Sequence, residues 1–399
     1  MSQNLIYLDN NATTKVDEKV VEAMLPYFSE EYGNPSSIYD LAHTANTAVR
    51  HSREAIKEFL GAKDAKEIIF TSCGSESANT AIKGVLELNR AKKHIITTKI
   101  EHPCVLNLYK DLENKGYRAD YIGVDSNGDL DVQELLSKVE KDTALVSVMY
   151  ANNETGAIFP VKEIAQKVKE INPETKVFVD AVQAAGKIPI NVKETEIDFL
   201  GISAHKFHGP KGIGALYVKS GTMMAPLIIG GHQERGKRAG TENVPYIVGM
   251  AEAAKLAMAH LSDELTEVKR LRDMLEEGIL SKIKNARLNS TAKNRVPNTT
   301  NIGFLYIEGE LILLHLNDAG ICASSGSACT SGSLEPSHVL RAMGVPFTAL
   351  HGSIRFSLSR YTTESDIIQV IQELPHIIEK LAKISPFQKE LGEILNNKC

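Results

Sequence analysis

Residues 144–180 read ALVSVMYANNETGAIFPVKEIAQKVKEINPETKVFVD and contain the pattern that decides the fold. Apolar runs at 144–150 and 176–180 predict two buried β-strands. Between them, residues 161–171 carry apolar side chains at helical spacing, directly after Pro160, a residue favoured at a helix start. A strand, a helix and a second strand in this order predict a βαβ unit and therefore a parallel sheet.

Further apolar runs continue the same alternation on both sides of this unit. They are IIF (68–70), HIITT (94–98), DYIGV (120–124), DFLGIS (198–203) and GIGALYV (212–218). Strands that are separated by helices indicate repeated βαβ units. We therefore expect the first 250 or so residues to form one α/β layer structure.

The pattern changes in the last third of the chain. Residues 244–280 keep helical spacing throughout and predict one long helix that bridges two domains. Beyond it lie a strand-like segment at 299–307, a helix at 310–320, a Ser/Gly tract and a last helix at about 365–384. We expect a large domain over residues 16–260, and a smaller α+β domain formed by residues 1–15 and 261–399.

Charge and composition exclude several classes of protein. The 399 residues include 45 Lys and Arg against 50 Asp and Glu, and nothing resembles the concentrated basic face that nucleic acid requires. The N-terminus lacks the features of a signal peptide, and no stretch approaches the roughly 20 apolar residues that cross a bilayer. We therefore expect a cytoplasmic protein with neither a nucleic-acid nor a membrane partner. The five cysteines show no metal-ligand spacing, so no metal site is expected.

Two candidate functional side chains follow neighbouring predicted strands. Asp180 ends the strand at 176–180, and α/β sheets bind ligands at such carboxyl ends. It either caps a following helix or pairs with the protonated ring nitrogen of pyridoxal 5′-phosphate (PLP). Lys206 follows the strand at 198–203 between His205 and Phe207. It is either a surface lysine before a turn or a poorly solvated amine, with a lowered pKa, that forms a Schiff base.

Two further strand ends carry candidate residues. The turn FTSCGSESANTAIKGV (70–85) places Gly74 and Ser75 at a helix start, where free N–H groups and the helix dipole favour phosphate. A plain capping box with Ser75 as the cap is the alternative. His102, in KIEHPCV (99–105), either stacks on a flat cofactor or is a structural histidine.

The segment ASSGSACTSGS (323–333) contains only Ser, Gly, Ala and Thr besides Cys329. Such a composition cannot pack a core and predicts a solvated, mobile loop. A thiol exposed in this way has the access that a reactive thiolate needs. Cys73, Cys104 and Cys322 lie next to apolar segments and are expected to be buried.

Together, these segments resemble the NifS/IscS-type cysteine desulfurases, PLP enzymes of the class V aminotransferase family. The resemblance covers nearly the whole chain and rests on YLDNNATT (7–14), GNPSS (33–37), EHP (101–103), NNETG (152–156), DAVQAAGK (180–187), SAHKFHGPKGIGALY (203–217), RAGTEN (238–243), SSGSACTSG (324–332) and RFSLSR (355–360). It implies the fold-type I PLP-transferase architecture. In that α/β architecture a large domain holds a mostly parallel, seven-stranded sheet flanked by helices, and a smaller α+β domain follows at the C-terminus.

The resemblance also implies roles for individual residues. Lys206 would hold PLP covalently, Asp180 would contact the pyridine nitrogen, and His102 would stack on the ring and exchange a proton near the substrate sulfur. The other implied cofactor contacts are Gln183 at the ring hydroxyl, Asn153 in the ring pocket, and Gly74, Ser75, Ser203 and His205 at the phosphate. Thr241 would reach the phosphate of a neighbouring subunit, which implies a homodimer. The implied substrate-binding residues are Arg355, which would bind the carboxylate, Asn11 and Asn34.

The implied reaction converts L-cysteine to L-alanine and leaves the sulfur as a persulfide on Cys329. An iron–sulfur scaffold protein or another acceptor would then receive it, for cluster assembly or also for tRNA thiolation, and Cys329 could transiently touch a cluster. Two alternatives stay open. A selenocysteine lyase or another class V enzyme would share the PLP frame, and a sulfur or cluster carrier would use Cys329 beside a vestigial pocket.

Overall fold

The computed structural model describes residues 5–290, 294–325 and 336–396. The strands are β1 (Ile6–Tyr7), β2 (Ile68–Thr71), β3 (His94–Thr98), β4 (Arg118–Ile122), β5 (Thr143–Met149), β6 (Lys176–Asp180), β7 (Phe199–Ser203), β8 (Gly214–Val218), β9 (Ala286–Leu288), β10 (Thr299–Phe304), β11 (Ile321–Cys322), β12 (Ser324–Ser325) and β13 (Ser353–Ser357). The helices are α1 (Glu18–Met24), α2 (Pro26–Ser29), α3 (Asp40–Leu60), α4 (Gly74–Leu88), α5 (Pro103–Glu113), α6 (Val132–Ser137), α7 (Val161–Ile171), α8 (Val244–Ala259), α9 (Leu261–Asp263), α10 (Lys269–Lys282), α11 (Gly309–Asp318), α12 (His338–Ala342), α13 (Phe347–Leu350), α14 (Glu364–Ala382) and α15 (Gln388–Asn396).

The central sheet has seven strands in the order β2-β8-β7-β6-β5-β3-β4. Strands β3 to β7 all run parallel to one another, whereas β8 is antiparallel to both β2 and β7. Strand β2 therefore points in the same direction as the parallel strands. The predicted α/β fold with a mostly parallel, seven-stranded sheet is confirmed.

Helices cover both faces of this sheet, because side chains alternate along each strand. In β6, Val177 and Val179 belong to the core cluster that α3, α7 and α8 complete. Phe178 points to the other face and packs with apolar residues of α4 and α5. Full burial of one such side chain stabilises the fold by about 1.5–3 kcal/mol.

A second core lies around the antiparallel sheet β12-β13-β10-β9. Apolar residues of α10, α11 and α14 pack on it. The N-terminal residues Ile6 and Leu8 belong to the same core, because β1 pairs with β11. An isolated bridge between Asp9 and Ser357 continues this contact and carries residues 9–12 toward the carboxyl edge of the central sheet.

The prediction of one continuous helix over 244–280 is wrong. Helix α8 ends before His260, whose ψ of 10° leaves the helical region. The His260 ring bonds the Asp263 carboxylate at 2.7 Å, and a π-helical turn over Glu264–Val268 precedes α10. This turn buries Glu264 together with Val268. The non-helical ψ of His260 separates α8 from the helical turns that follow, and the extra residue of the π-helical turn shifts the helical period before α10.

Candidate active site

A cavity of about 270 Å³ opens at the carboxyl edge of the central sheet, facing β13. The predicted site residues that line it are Asn11, Gly74, Ser75, His102, Asn153, Asp180, Gln183, Ser203, His205, Lys206 and Arg355. Most of them follow the ends of β2, β3, β5, β6 and β7, which meet at this edge as ligand-binding residues do in α/β sheets. Eleven residues from distant parts of the chain thus converge on one cavity.

Three predicted residues do not belong to this set. Asn34 is exposed, and its side-chain oxygen accepts a hydrogen bond from the Ser36 N–H at 3.0 Å, which closes a local turn. Thr241 is exposed on the surface of the chain, and its proposed contact to a second subunit stays a prediction. Cys329, and with it most of the predicted loop at 323–333, lies outside the described residues.

The N-terminus of α4 forms one end of the cavity. The residue before it, Cys73, is extended and makes no side-chain cap hydrogen bond, so Ser75 lies in the first turn and is not the cap. The capping-box alternative is therefore wrong. A Cβ added to Gly74 would lie 2.7 Å from Val182 Cγ2, so only glycine brings the backbone this close. The backbone N–H groups at the start of α4 suit an anion such as phosphate.

Asp180 and His102 both line the cavity. Asp180 is 7% exposed, and one oxygen accepts a hydrogen bond from the Val182 N–H at 3.0 Å. Turns rather than a helix follow it, so the alternative role as a helix cap is wrong. Burial raises the pKa of Asp180, while the positive charges of His102 and Lys206 oppose that shift. Among the described residues that line the cavity, Asp180 supplies the one carboxylate.

The ring of His102 caps helix α5. Its Nδ1 accepts a hydrogen bond from the Cys104 N–H at 3.2 Å, so the proton of the neutral ring lies on Nε2. Burial lowers the pKa of His102, and the nearby Asp180 charge only partly offsets this. The ring therefore has the structural role that the sequence left open, whereas its stacking on a cofactor stays a prediction.

Lys206 reaches the cavity from the short turn after β7. Its Nζ donates to the carbonyl oxygens of Asn11, at 2.7 Å, and Ala12, at 2.8 Å. The neighbouring His205 bonds the Thr13 hydroxyl through Nδ1 at 3.1 Å. Burial, together with the charge of Lys206, lowers the pKa of His205 to about 4, so its ring is neutral at pH 7.

Arg355 enters the cavity from β13. It is 3% exposed, and its Nη2 donates to the Asp9 carboxylate at 2.7 Å while Nη1 donates to the Asn153 carbonyl at 3.0 Å. Its Nε has no acceptor among the described residues. A guanidinium has five N–H donors, and the protein acceptors take only part of them. The remaining capacity fits a carboxylate ligand.

The cavity also contains cysteines that were expected to be buried. Cys73 and Cys104 line it and are half-buried, as is Cys322 elsewhere. Burial and the Asp180 charge raise the pKa of the Cys104 thiol, so it stays protonated at neutral pH. Cys73 directly precedes α4 and Cys104 lies in the first turn of α5, after β2 and β3, and this position beyond strand ends was the signal that could have found them.

Lys187 is a second residue that sequence reasoning left without a role. It belongs to the motif DAVQAAGK, yet it lies behind the cavity wall with only 5% of its surface exposed. Its Nζ bonds Gln183 and Asn11, both of which line the cavity. No spacing rule distinguishes it from an ordinary surface lysine.

The chain belongs to the class V aminotransferase family, whose sequence model (Aminotransferase class-V) matches residues 6–370. Enzymes of this family depend on PLP, so this chain is a PLP-dependent enzyme. A cysteine desulfurase of Nostoc sp. is 58% identical over 388 residues, 97% of this chain and 96% of that protein. The cysteine desulfurase NifS of Azotobacter vinelandii is 50% identical over 389 residues, 98% of this chain and 96% of that protein. A solved NifS-like protein has a TM-score of 0.89 at 41% identity, covering 95% of this chain and 100% of the other.

The donor set of the cavity fits PLP. The uncapped N-terminus of α4 suits the phosphate, and the one lining carboxylate suits a protonated ring nitrogen. The Lys206 amine lines the same cavity, from a short turn that directly follows β7. The cavity of about 270 Å³ is close to the lower end of the range for small-molecule sites, roughly 300 Å³.

Proposed function

We propose that this chain is a cysteine desulfurase that converts L-cysteine to L-alanine. In this reaction the Cys329 thiolate attacks the substrate sulfur and the S–Cβ bond breaks with its electron pair left on Cβ, which takes up a proton to give alanine. The sulfur remains on Cys329 as a persulfide. The observation that carries the proposal is one cavity that combines an amine, a buried carboxylate, a histidine and an arginine. Relatives named cysteine desulfurase, matching 97% of the chain, support it.

The cofactor would be held at both ends. Lys206 would bind its aldehyde carbon, Asp180 its ring nitrogen and His102 its ring face. The residues proposed for the remaining contacts are Gln183 at the ring oxygen, Asn153 beside the ring, Gly74, Ser75, Ser203 and His205 at the phosphate, and Thr241 from a second subunit. When bound, PLP supplies an electron sink that absorbs the charge left by loss of the substrate Cα proton.

Lys206 and His102 are the proposed proton carriers. In its neutral form the Lys206 amine can take the Cα proton, and the carbonyl oxygens of Asn11 and Ala12 hold it at the cavity edge. His102 holds its proton at Nε2, because Nδ1 is occupied by the Cys104 N–H. In this state the ring can donate the Nε2 proton, and Nε2 can take up a proton from a thiol only after its own has been given away.

Arg355 would orient the substrate through its carboxylate. The Asp9 and Asn153 contacts fix the plane of the guanidinium, so its free donors point in a defined direction. The Asn11 side chain contributes indirectly, since its own hydrogen bonds are taken by Asn153, Thr299, Lys187 and Asn298. We therefore propose that Asn11 shapes the substrate site rather than contacting substrate with its amide.

The experiment that tests this function measures both products. The purified enzyme is incubated with L-cysteine, alanine is quantified, and persulfide is located by mass spectrometry. We expect one alanine per sulfur transferred, a cofactor band near about 400 nm, and loss of sulfur release in Cys329→Ser. Turnover of selenocysteine but not of cysteine would indicate a lyase instead, and absence of the cofactor band would indicate a carrier.

We also propose the organisation and surroundings of the enzyme. A large domain over 16–260 and a small domain over 1–15 and 261–399 are supported by the packing of Ile6 and Leu8 into the second core. We propose a cytoplasmic homodimer that passes sulfur to an iron–sulfur scaffold protein or another acceptor thiol. No helix of the described residues is long and apolar enough to cross a membrane. Light scattering of the purified enzyme tests the dimer, and transfer of labelled persulfide to a scaffold protein tests the acceptor.

A further inference from the structure

Lys187 is a buried ammonium group whose contacts lead directly to the cofactor cavity. The turn before it needs a positive φ of 77° at Gly186, where a Cβ would lie 2.7 Å from Phe207 Cβ. This turn sends the Lys187 side chain inward. There its Nζ donates to Gln183 Oε1 at 2.5 Å and to Asn11 Oδ1 at 3.0 Å.

These two contacts determine how both amides are oriented. The Lys187 amine directs N–H donors at both amides, and in its charged form it has no acceptor, so the atom of each amide that faces it is the oxygen. The Gln183 nitrogen therefore points the other way and donates to the Asn11 main-chain oxygen at 2.9 Å. An amide nitrogen carries two hydrogens, and the second remains for the cavity that Gln183 lines.

The same network reaches Lys206. Its Nζ donates to the Asn11 carbonyl oxygen at 2.7 Å, the atom that also accepts from Gln183. Lys187 fixes the Asn11 side chain, whose nitrogen donates to the Thr299 hydroxyl at 2.8 Å. Lys187 thus contacts both Gln183 and Asn11. Lys206 donates to the main-chain oxygen of Asn11, and Gln183 would contact the ring of PLP.

A buried acid, Glu264, lies near Lys187 on its other side. A second cavity of about 10 Å³, the space of roughly one water molecule, is lined by Lys187, Lys206 and Glu264. Glu264 is 7% exposed and belongs to the π-helical turn. Burial lowers the pKa of Lys187 to about 7, with the charges of Lys206 and Arg355 adding to this and Glu264 opposing it.

We propose that Lys187 is a positioning residue that fixes the Gln183 amide so that its nitrogen, not its oxygen, faces the ring oxygen of PLP. The proposal rests on the binding of PLP in this cavity. It makes Gln183 a donor, which favours the deprotonated form of the ring oxygen. Lys187 itself touches neither cofactor nor substrate.

The first experiment leaves Lys187 intact. Gln183→Glu keeps the shape of the side chain and its contact with Lys187, but it removes the donor and presents an oxygen to the ring. One hydrogen bond contributes about 0.5–1.5 kcal/mol, which corresponds to roughly 3- to 10-fold in affinity. We expect the dissociation constant of PLP to rise by at least this factor. An unchanged constant would mean that an oxygen already faces the ring, and it would overturn the proposal.

The second experiment removes the positioning group. In Lys187→Met we expect PLP affinity and the fraction of bound PLP with a deprotonated ring oxygen, read from its visible spectrum, to fall by roughly 3- to 10-fold. Combined with Gln183→Leu, the change should add little further loss; additive losses would show that Lys187 does not act through Gln183.

Lys169→Met is the matched control. Lys169 is a half-buried lysine that donates to Asp198 and to the Thr175 carbonyl, both at 2.6 Å, and it does not line the cavity. We expect it to change stability but neither PLP affinity nor the spectrum. If Lys187→Met does not fold, Lys187→Gln replaces it: its neutral amide can face Gln183 with either atom, so we expect a loss of PLP affinity in the same direction, and unchanged affinity would overturn the proposal. If the unaltered enzyme binds no PLP, the proposed function fails, whereas PLP binding with unchanged variants contradicts only the role of Lys187.

Discussion

Replacing Arg355 by lysine tests whether this side chain recognises the substrate carboxylate. The change keeps a positive charge beside Asp9, so the buried pair with a distance of 2.7 Å can be retained and folding should survive. It removes the planar fork, including the Nε that has no acceptor among the described residues. A lysine at this position offers one point charge in place of two parallel donors.

The magnitude follows from the lost hydrogen bond. A hydrogen bond to a charged group contributes about 1.5–3 kcal/mol, and about 1.4 kcal/mol corresponds to a tenfold change in affinity. Arg355→Lys should therefore weaken binding of L-cysteine by about 10- to 150-fold. Cysteamine, the same molecule without the carboxylate, should bind the variant and the unaltered enzyme equally well.

The assay is a titration of the cofactor absorbance with each of the two amines. Arg272→Lys is the matched control, because Arg272 is also 3% exposed and pairs with an aspartate, Asp273, at 2.7 Å, but does not line the cavity. We expect the preference for cysteine over cysteamine to collapse in Arg355→Lys alone. Equal weakening of both amines, or the same loss of preference in Arg272→Lys, would refute carboxylate recognition by Arg355.

Three further predictions concern the catalytic groups and one buried acid. Lys206→Ala should yield no borohydride-reducible PLP adduct; an adduct that persists would place the cofactor on another amine. Asp180→Asn should slow exchange of the substrate Cα proton, followed by NMR in D₂O, far more than it weakens PLP binding, because the phosphate contacts remain; equal losses would make Asp180 a structural residue. Burial raises the pKa of Glu154 from 4.5 to about 7, so the folded protein keeps a proton that the unfolded chain releases, and stability falls as the pH rises from 4.5 through 7. Glu154→Gln can still accept the Ser337 hydrogen bond, and it should remove up to about 3 kcal/mol of this pH-dependent loss in the free energy of unfolding. Urea titrations at pH 5 and pH 8 measure the loss, and the same pH dependence in the variant would contradict the pKa shift.

The parts of the fold that follow a local period could be predicted from the sequence. All seven strands of the central sheet form at the predicted apolar runs, and α7 begins and ends where the spacing over 161–171 places it. The reversed direction of β8 could not be predicted, because the pairing partner of a strand is a property of the whole sheet.

The site residues that follow the carboxyl ends of strands could be predicted from the sequence. Asp180, Lys206 and His102 follow three strands of the sheet, so the topology alone brings them to one edge. Arg355 and Asn11 reach the same cavity from the second sheet and from the N-terminal segment. Only the resemblance of their motifs predicted them, since no local pattern relates residues that are 344 positions apart.

What the sequence could not show is which polar groups are buried against each other. Lys187, Glu264 and Glu154 are ordinary polar residues in their motifs, yet all three are less than 9% exposed. Glu264 turns inward because a π-helical turn replaces the predicted regular helix, and this places a carboxylate and the Lys187 ammonium around the same water-sized cavity. Each group reduces the cost of burying the other, so a helix irregularity and a buried lysine that look unrelated in sequence depend on each other in the fold. Because Lys187 in turn orients Gln183 and Asn11, the irregular helix turn contributes to the geometry of the cofactor site without touching it.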